Sequence, residues 1–372
     1  MAKASRRTNT DTAGSGDSDE PISIGIIGAG GIAAKMHLPQ LEKIKGVKIA
    51  ALAGRKMSRL KVLSDRHGGK TFIDYMAVIE DPKIDAVVIA TPHPHHVDLG
   101  LAALKAGKHV FMQKPLAPTM DEADRFVKAA EASKQVVYCL PQLTFPQILT
   151  MRDLIAEGLL GKISGAHCRF SHGGPEVYYA GIRELLKEPP LKPGEKLWFF
   201  EAGEAAVGAL FDMGVYAVAR LVAVLGSAKS VMGMTAILDK PSAVEDTATL
   251  LIQFANGAIA SAETGWCDGA RSGRLMVHGT LGRAEFPGYA GSEISLYQQA
   301  SKKSEDLAAK RKDIDCKKHA YVDPHLQWIR SIRTGAPLGF ETARTARHIT
   351  EILLAGLESA KSGRRVDLKT KL

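Results

Sequence analysis

Short runs of consecutive apolar residues alternate with segments of helical period along the first part of the chain. Ile22 to Ile27, Val47 to Ala53, Ile84 to Ala90, His109 to Met112 and Val136 to Leu140 read as strands. A stretch ending at Leu41, then Ser58 to His67, Val97 to Ala106 and Met120 to Ser133 read as helices, with Gly68-Gly69 and Gly107 as stop signals. Strands that are apolar along their whole length are buried on both faces. Alternating with helices, they predict a parallel, doubly wound sheet over residues 21–144.

The pattern changes near residue 145. Pro146 to Glu157 reads as a helix and Lys162 to Ser171 as a strand. His172 to Glu204, with Pro189-Pro190 and Pro193-Gly194, reads as loop-rich, and Ala205 to Leu225 as one long helical segment. Strand-like segments then follow closely: Val231–Leu238, Thr247–Phe254, Ala258–Trp266, Gly273–His278, Ala284–Phe286 and Ile294–Tyr297. Short turns such as Asn256-Gly257 join antiparallel neighbours, so residues 145–372 are expected to form an α+β domain with an open, mainly antiparallel sheet. A last helix, Ala343 to Ser362, is placed to pack back on the first domain. Residues 1–20, rich in Ser, Thr, Asp and Gly, are expected to be a disordered tail.

Composition changes this picture little. A chain of 372 residues with 45% hydrophobic and 24% charged residues fits two soluble globular domains. The formal charge of +9 is scattered, partly over the tails (Lys3, Arg6, Arg7; Lys361, Arg364, Arg365, Lys369, Lys371). No basic stripe is interleaved with aromatics, so no nucleic-acid partner is expected; a positive field suits phosphorylated cofactors or anionic substrates. Cys139, Cys168, Cys267 and Cys316 form no CxxC pair and are expected to be reduced. No apolar run reaches transmembrane length, and none follows Arg6-Arg7 as in an export signal. No membrane partner and a cytoplasmic location are therefore expected.

The first strand ends in Gly28-Ala29-Gly30-Gly31-Ile32-Ala33. Gly28 would allow the tight turn, Gly30 would let the backbone approach a pyrophosphate, and Ala33 is small enough for close helix–strand contact. Backbone N–H groups from Gly31 and Ile32 onward would face the phosphates. A glycine turn that follows an apolar strand and opens a helix is the context a dinucleotide site requires, and it makes the first domain a Rossmann fold. The second strand ends Leu52-Ala53-Gly54-Arg55-Lys56, with no acid to receive the adenosine ribose. Arg55, with Lys56 or Arg59 nearby, would hold a 2′-phosphate, which favours NADP over NAD.

Two further stretches narrow the reading. Ala90-Thr91-Pro92-His93-Pro94-His95-His96 follows the fourth strand, and Ala106-Gly107-Lys108-His109-Val110-Phe111-Met112-Gln113-Lys114-Pro115-Leu116 follows the next helix. With the glycine turn, the chain resembles the glucose–fructose oxidoreductase, inositol dehydrogenase and rhizopine-catabolism family (Gfo/Idh/MocA) over roughly residues 22 to 368. The resemblance implies that Thr91, Pro92 and His96 lie beside the cofactor and that Lys114 reaches the reacting carbon. His93 stands where the family usually has Asn, and Gln113 replaces the Glu before the lysine; Gln113 would still hydrogen-bond a ribose hydroxyl. In the second domain, Gly208-Ala209-Leu210-Phe211-Asp212-Met213-Gly214-Val215-Tyr216 matches the family helix that faces the nicotinamide. Asp212 matches the family acid and Tyr216 replaces the usual His; four apart, they share a helix face. Ala219 stands where a further acid is usual.

The expected catalytic residues are therefore Lys114, Asp212 and Tyr216, joined at the substrate by Gln142, His172 and Trp198. His93, His95 and His96 are not expected to bind a metal, because no further ligands at fixed spacing accompany them. The resemblance implies reversible hydride transfer between NADP or NAD and a carbinol carbon of a sugar, polyol or cyclic diol. It admits two alternatives, glycoside cleavage with cofactor recycling and a non-catalytic ligand sensor. It also implies a homodimer or homotetramer formed through the open sheet.

Overall fold

The computed structural model describes residues 20–192, 195, 197–201, 207–288, 291–299 and 309–372. The expected tail, apart from Glu20, lies outside the described residues, as do Pro193-Gly194, Glu204 and the Ala205 start of the long helical segment.

The first unit is a six-stranded parallel sheet made of Ile22–Ile27 (β1), Val47–Ala53 (β2), Lys70–Phe72 (β3), Ala86–Ile89 (β4), His109–Met112 (β5) and Val137–Cys139 (β6). The strand order is β3-β2-β1-β4-β5-β6. Ala86, Val87, Val88 and Ile89 are all fully buried, as a strand covered on both faces must be. A π-helical turn at Ala33–His37 runs into Leu38–Leu41 (α1). Pro39 lacks the N–H that a regular turn would need there. Met57–His67 (α2), Met76–Ile79 (α3), His96–Lys105 (α4) and Met120–Ala132 (α5) complete the layers. Thr119 caps α5, its Oγ1 accepting from the Glu122 N–H. The order reverses between β1 and β4, which leaves a crevice at their C-terminal ends.

The second unit is a nine-stranded sheet. Its strands are Ile163–Ser171 (β7), Ala228–Ala236 (β8), Thr247–Phe254 (β9), Ile259–Gly265 (β10), Leu275–Gly279 (β11), Gly282–Phe286 (β12), Glu293–Gln299 (β13), Ala309–Asp315 (β14) and Val366–Asp367 (β15). The order is β14-β13-β12-β11-β7-β10-β9-β8-β15, antiparallel except where β7 lies parallel to β10. Pro146–Ala156 (α6) and Val215–Leu225 (α8) share one apolar cluster with the buried residues of this sheet. Met232, Met234, Leu251 and Ile259 remain exposed.

Pro324–Thr334 (α9) and Ala343–Ser362 (α10) pack back on the first unit. Helix α10 joins both cores: Ala343 and Ala346 belong to the first, and Ile349, Ile352 and Leu353 to the second. The expected α/β-plus-α+β architecture is observed, with two corrections. The stretch expected to be loop-rich contains a helix, Pro175–Leu185 (α7), started by Pro175 and held by Ile182 against the first unit. The long helical segment begins with a π-helical turn, Leu210–Gly214, before α8. Strands β3, β14 and β15 and helix α3 went unread, because they are short, polar or both; helix α9, as long as α2, went unread as well.

Candidate functional site

Gly28 ends β1 with φ of +87°, and a Cβ there would stand 2.6 Å from the Ala90 carbonyl and the Thr91 nitrogen. The N–H groups of Gly28 and Ala29 both donate to the Ala53 carbonyl (3.0 and 2.8 Å), which pins the turn to the tip of β2. Gly30 differs: a Cβ built there meets nothing nearer than the Gly28 oxygen at 3.9 Å. A side chain at that position would fill open space beside the first helical turn. The turn therefore fits the pyrophosphate of a dinucleotide.

A cavity of about 700 Å³ extends from this turn to the second unit. Gly28, Gly30, Gly31 and Ile32 line one end, with Arg55, Lys56 and Arg59 beyond the tip of β2. Thr91, Pro92 and His93 come from the loop after β4, and Gln113 and Lys114 from the loop after β5. His172, Trp198, Asp212 and Tyr216 enter from the second unit. Sequence reasoning thus selected residues that the fold brings together from seven separate segments.

Two expected residues are not brought there. His96 is fully buried at the start of α4, its Nδ1 2.7 Å from the Pro115 carbonyl and its Nε2 2.9 Å from the Thr91 carbonyl. The ring ties the two cofactor-side loops together behind the wall instead of lining it. Gln142 is also buried and donates from Nε2 to the Val322 carbonyl at 2.8 Å, which holds the segment before α9.

Lys114 and Asp212 meet across the junction of the two units. Lys114 Nζ donates to the Asp212 carbonyl (2.6 Å) and to Asp212 Oδ1 (2.8 Å). Asp212 Oδ2 accepts from the Trp266 indole N–H at 3.0 Å. Burial alone would lower the Lys114 ammonium, but Asp212, with Tyr216, outweighs it and holds the group above its ordinary value. Burial would raise Asp212, yet the Lys114 charge and the hydrogen bonds from Lys114 and Trp266 hold it below the usual carboxylate range. The pair is therefore ionised at neutral pH, and Asp212 supplies the negative charge that Gln113 does not.

Tyr216 stands beside this pair. Lys114 Nζ lies 4.9 Å from the centre of its ring, whose other neighbour is Phe170 at 4.8 Å. His172 Nε2 is 4.0 Å from Asp212 Oδ2, while its Nδ1 accepts from the Gly174 N–H at 2.8 Å. That bond assigns the ring proton to Nε2, and burial pushes the imidazole down, so His172 is neutral at pH 7. Trp198 donates to the Tyr179 hydroxyl at 2.7 Å and packs edge-on against His93.

Behind Gln113 runs a buried chain. Gln113 Nε2 lies 3.1 Å from His37 Nε2, His37 Nδ1 lies 2.8 Å from His325 Nε2, and His325 Nδ1 lies 2.9 Å from Asp323 Oδ1. Gln113 Oε1 accepts from the Lys114 backbone N–H at 2.7 Å. Sequence reasoning missed this chain, along with Trp266 and the α7 residues Tyr178, Tyr179 and Ile182. The α7 residues had a readable signal in Pro175 followed by Tyr178 and Ile182 at helical spacing. Trp266, just past the end of β10, had none.

Two family models match the chain: "Oxidoreductase family, NAD-binding Rossmann fold" over residues 22–140 and "GFO/IDH/MocA C-terminal domain" over residues 148–285. A dTDP-3,4-didehydro-2,6-dideoxy-alpha-D-glucose 3-reductase of Actinomadura kijaniata is 32% identical over 53% of this chain and 54% of its own length, so the match spans about half of either protein. The scyllo-inositol 2-dehydrogenase (NADP(+)) of Bacillus subtilis is 23% identical over 94% of this chain and 97% of its own. Among solved structures, a levoglucosan dehydrogenase in complex with NADH superposes with a TM-score of 0.77 at 20% identity, covering 94% of this chain and all of that one. This likeness shows a shared fold. No helix among the described residues is long and apolar enough to cross a membrane.

Proposed function

The chain belongs to the Gfo/Idh/MocA oxidoreductase family, and on that premise we propose that it transfers a hydride between a nicotinamide dinucleotide and a carbinol carbon of a sugar, polyol or cyclic diol. The observation that carries the reading is the ionised Lys114–Asp212 pair, set where the glycine-turn cleft meets the sheet unit. The dinucleotide, when bound, supplies hydride acceptance or donation. Gly28, Gly30, Gly31 and Ile32 would hold its phosphates, and Thr91, Pro92, His93 and Gln113 its nicotinamide half. Arg55, Lys56 and Arg59, replacing an acid at the tip of β2, support NADP as the preferred form and NAD as the other.

The protein's own part is proton handling and placement. In carbonyl reduction, Lys114 would deliver a proton from Nζ to the substrate oxygen and be left as the neutral amine; alcohol oxidation would run the same transfer backwards, from the form in which Nζ has already released its proton to water. Asp212 keeps Nζ in place with two bonds and is itself fixed by Trp266. His172, neutral, and Trp198 would orient the remaining hydroxyls. We also infer a homodimer or homotetramer, since Met232, Met234, Leu251 and Ile259 form an exposed apolar sheet face that a second copy would cover. Sedimentation of the purified protein reads the oligomeric state, and a monomer at micromolar concentration would count against it.

The test is a spectrophotometric screen of sugars, polyols and diols with NAD and NADP in parallel. Lys114→Ala is expected to lower kcat by about 10²–10⁴-fold on any substrate found, with dinucleotide affinity within a few-fold of wild type. An unchanged kcat would remove Lys114 from the mechanism.

A further inference from the structure

The cations beyond the tip of β2 do not stand alone. Glu188, from the second unit, reaches across the cleft and takes Arg59 with both oxygens, at 2.5 Å from Nε and 2.6 Å from Nη2. Lys56 Nζ lies 3.8 Å from the same carboxylate. Both partners of the bidentate pair are largely buried, with side-chain exposures of 14% for Glu188 and 21% for Arg59, so this is not a loose surface contact.

The backbone is built to present Glu188 there. Helix α7 ends at Leu185, and Lys187 then turns the chain with φ of 55°, a left-handed conformation uncommon for a lysine. The Glu188 N–H donates to the Arg183 carbonyl at 2.8 Å, and Arg183 Nη1 donates to the Pro189 carbonyl at 3.0 Å, which fixes the residues on either side. Helix α7 itself is seated on the glycine turn: a Cβ on Gly31 would meet Ile182 Cδ1 at 2.6 Å. Lys35 Nζ lies 4.2 Å above the Tyr178 ring.

The geometry points to Glu188 as a specificity-determining residue for the dinucleotide, a carboxylate delivered from the second unit to the place where β2 offers none. It occupies the Arg59 donors that a 2′-phosphate would otherwise take, and it repels that phosphate. The protein would thereby hold NADP less tightly than its cluster of cations suggests and remain able to use NAD. This inference rests on the reading of the cavity as a dinucleotide site.

The experiment titrates the full chain with NADH and NADPH and follows quenching of protein fluorescence, which needs no substrate. Wild type, Glu188→Gln and Arg59→Ala are compared, with unfolding followed by circular dichroism. Glu188→Ala, which removes the carboxylate and both of its Arg59 bonds, replaces Glu188→Gln if that variant fails to fold. Glu188→Gln is expected to tighten NADPH roughly ten-fold and leave NADH within about two-fold, a change that shrinks with added salt. Arg59→Ala is expected to weaken NADPH by a similar factor and NADH little. An unchanged NADPH-to-NADH ratio in Glu188→Gln overturns the inference, as does an equal loss of both, which would make Glu188 only a fastener for α7. If wild type binds neither dinucleotide, the dinucleotide reading itself falls, and this inference with it.

Discussion

Gln113 has a neighbour on each side that can bond it in only one way. Its Oε1 takes the Lys114 N–H, so its amide hydrogens face His37 Nε2, which must accept. His37 Nδ1 then donates to His325 Nε2, and His325 Nδ1 donates to Asp323. Burial, with His325 alongside, holds His37 well below its ordinary value, in keeping with a neutral ring. A glutamate at 113 would need one more proton in this chain, whether on its own carboxyl or on His325. Gln113→Glu is therefore expected to cost about 1–3 kcal/mol near pH 8. The folded variant would bind a proton that the unfolded chain does not. Its stability would then fall relative to wild type as pH rises between about pH 7 and 9. Denaturant unfolding across that range decides it, and parallel curves for the two proteins would refute the assigned bond directions. Which side chains meet at the cavity was legible where chemistry and motif coincided, as at Lys114, Asp212 and Tyr216. His96 and Gln142 misled because their polarity serves buried carbonyls, and Glu188 was invisible because nothing in its local sequence reveals a partner on α2.

Helix α10 shows what an element contributes beyond its own stability. Thr342 caps its first turn and Gly363 ends it in the left-handed conformation, so its ends are set locally. Its buried face is divided between the two cores. Ile352, fully buried, faces the sheet core. Ile352→Ala is expected to cost about 2–5 kcal/mol and to lower the midpoint of both units together, because the helix they share loosens. Calorimetry would show one displaced transition; a split into two, with only the sheet unit displaced, would mean that α10 does not couple them. Elements of this length and period were readable from the sequence. Helix α7 was lost among prolines that stop the chain only after its last turn, and β14 was lost because nearly all its positions are polar and exposed.

At the scale of the whole molecule, stability depends on histidines kept uncharged. His348 Nε2 accepts from the Ala228 N–H at 2.9 Å and its Nδ1 faces Thr370 Oγ1 at 2.6 Å, so α10 holds β8 and the last residues of the chain through a neutral ring. Burial pushes that imidazole down to about 4. The unfolded chain titrates near 6.5, so between these values the unfolded state binds the extra proton. Stability is thus lost as pH falls through that window, by up to about 3 kcal/mol from this group. His348→Asn should flatten the loss, and denaturant midpoints at several pH values would read the difference; equal slopes would show that His348 contributes nothing. The two-unit plan was legible because each sheet type writes its own apolar period. The way the units interlock was not, since it depends on contacts between distant segments. One such contact has a consequence in time. Ile182 rests on Gly31, so the wall opposite the phosphate turn is a helix of the other unit. A dinucleotide held in this cavity would have α7 as part of its wall, so lifting of α7 is expected to set its rate of release. Ile182→Ala should shorten the dinucleotide's residence in a stopped-flow displacement measurement, and an unaltered release rate would mean that the exit lies elsewhere.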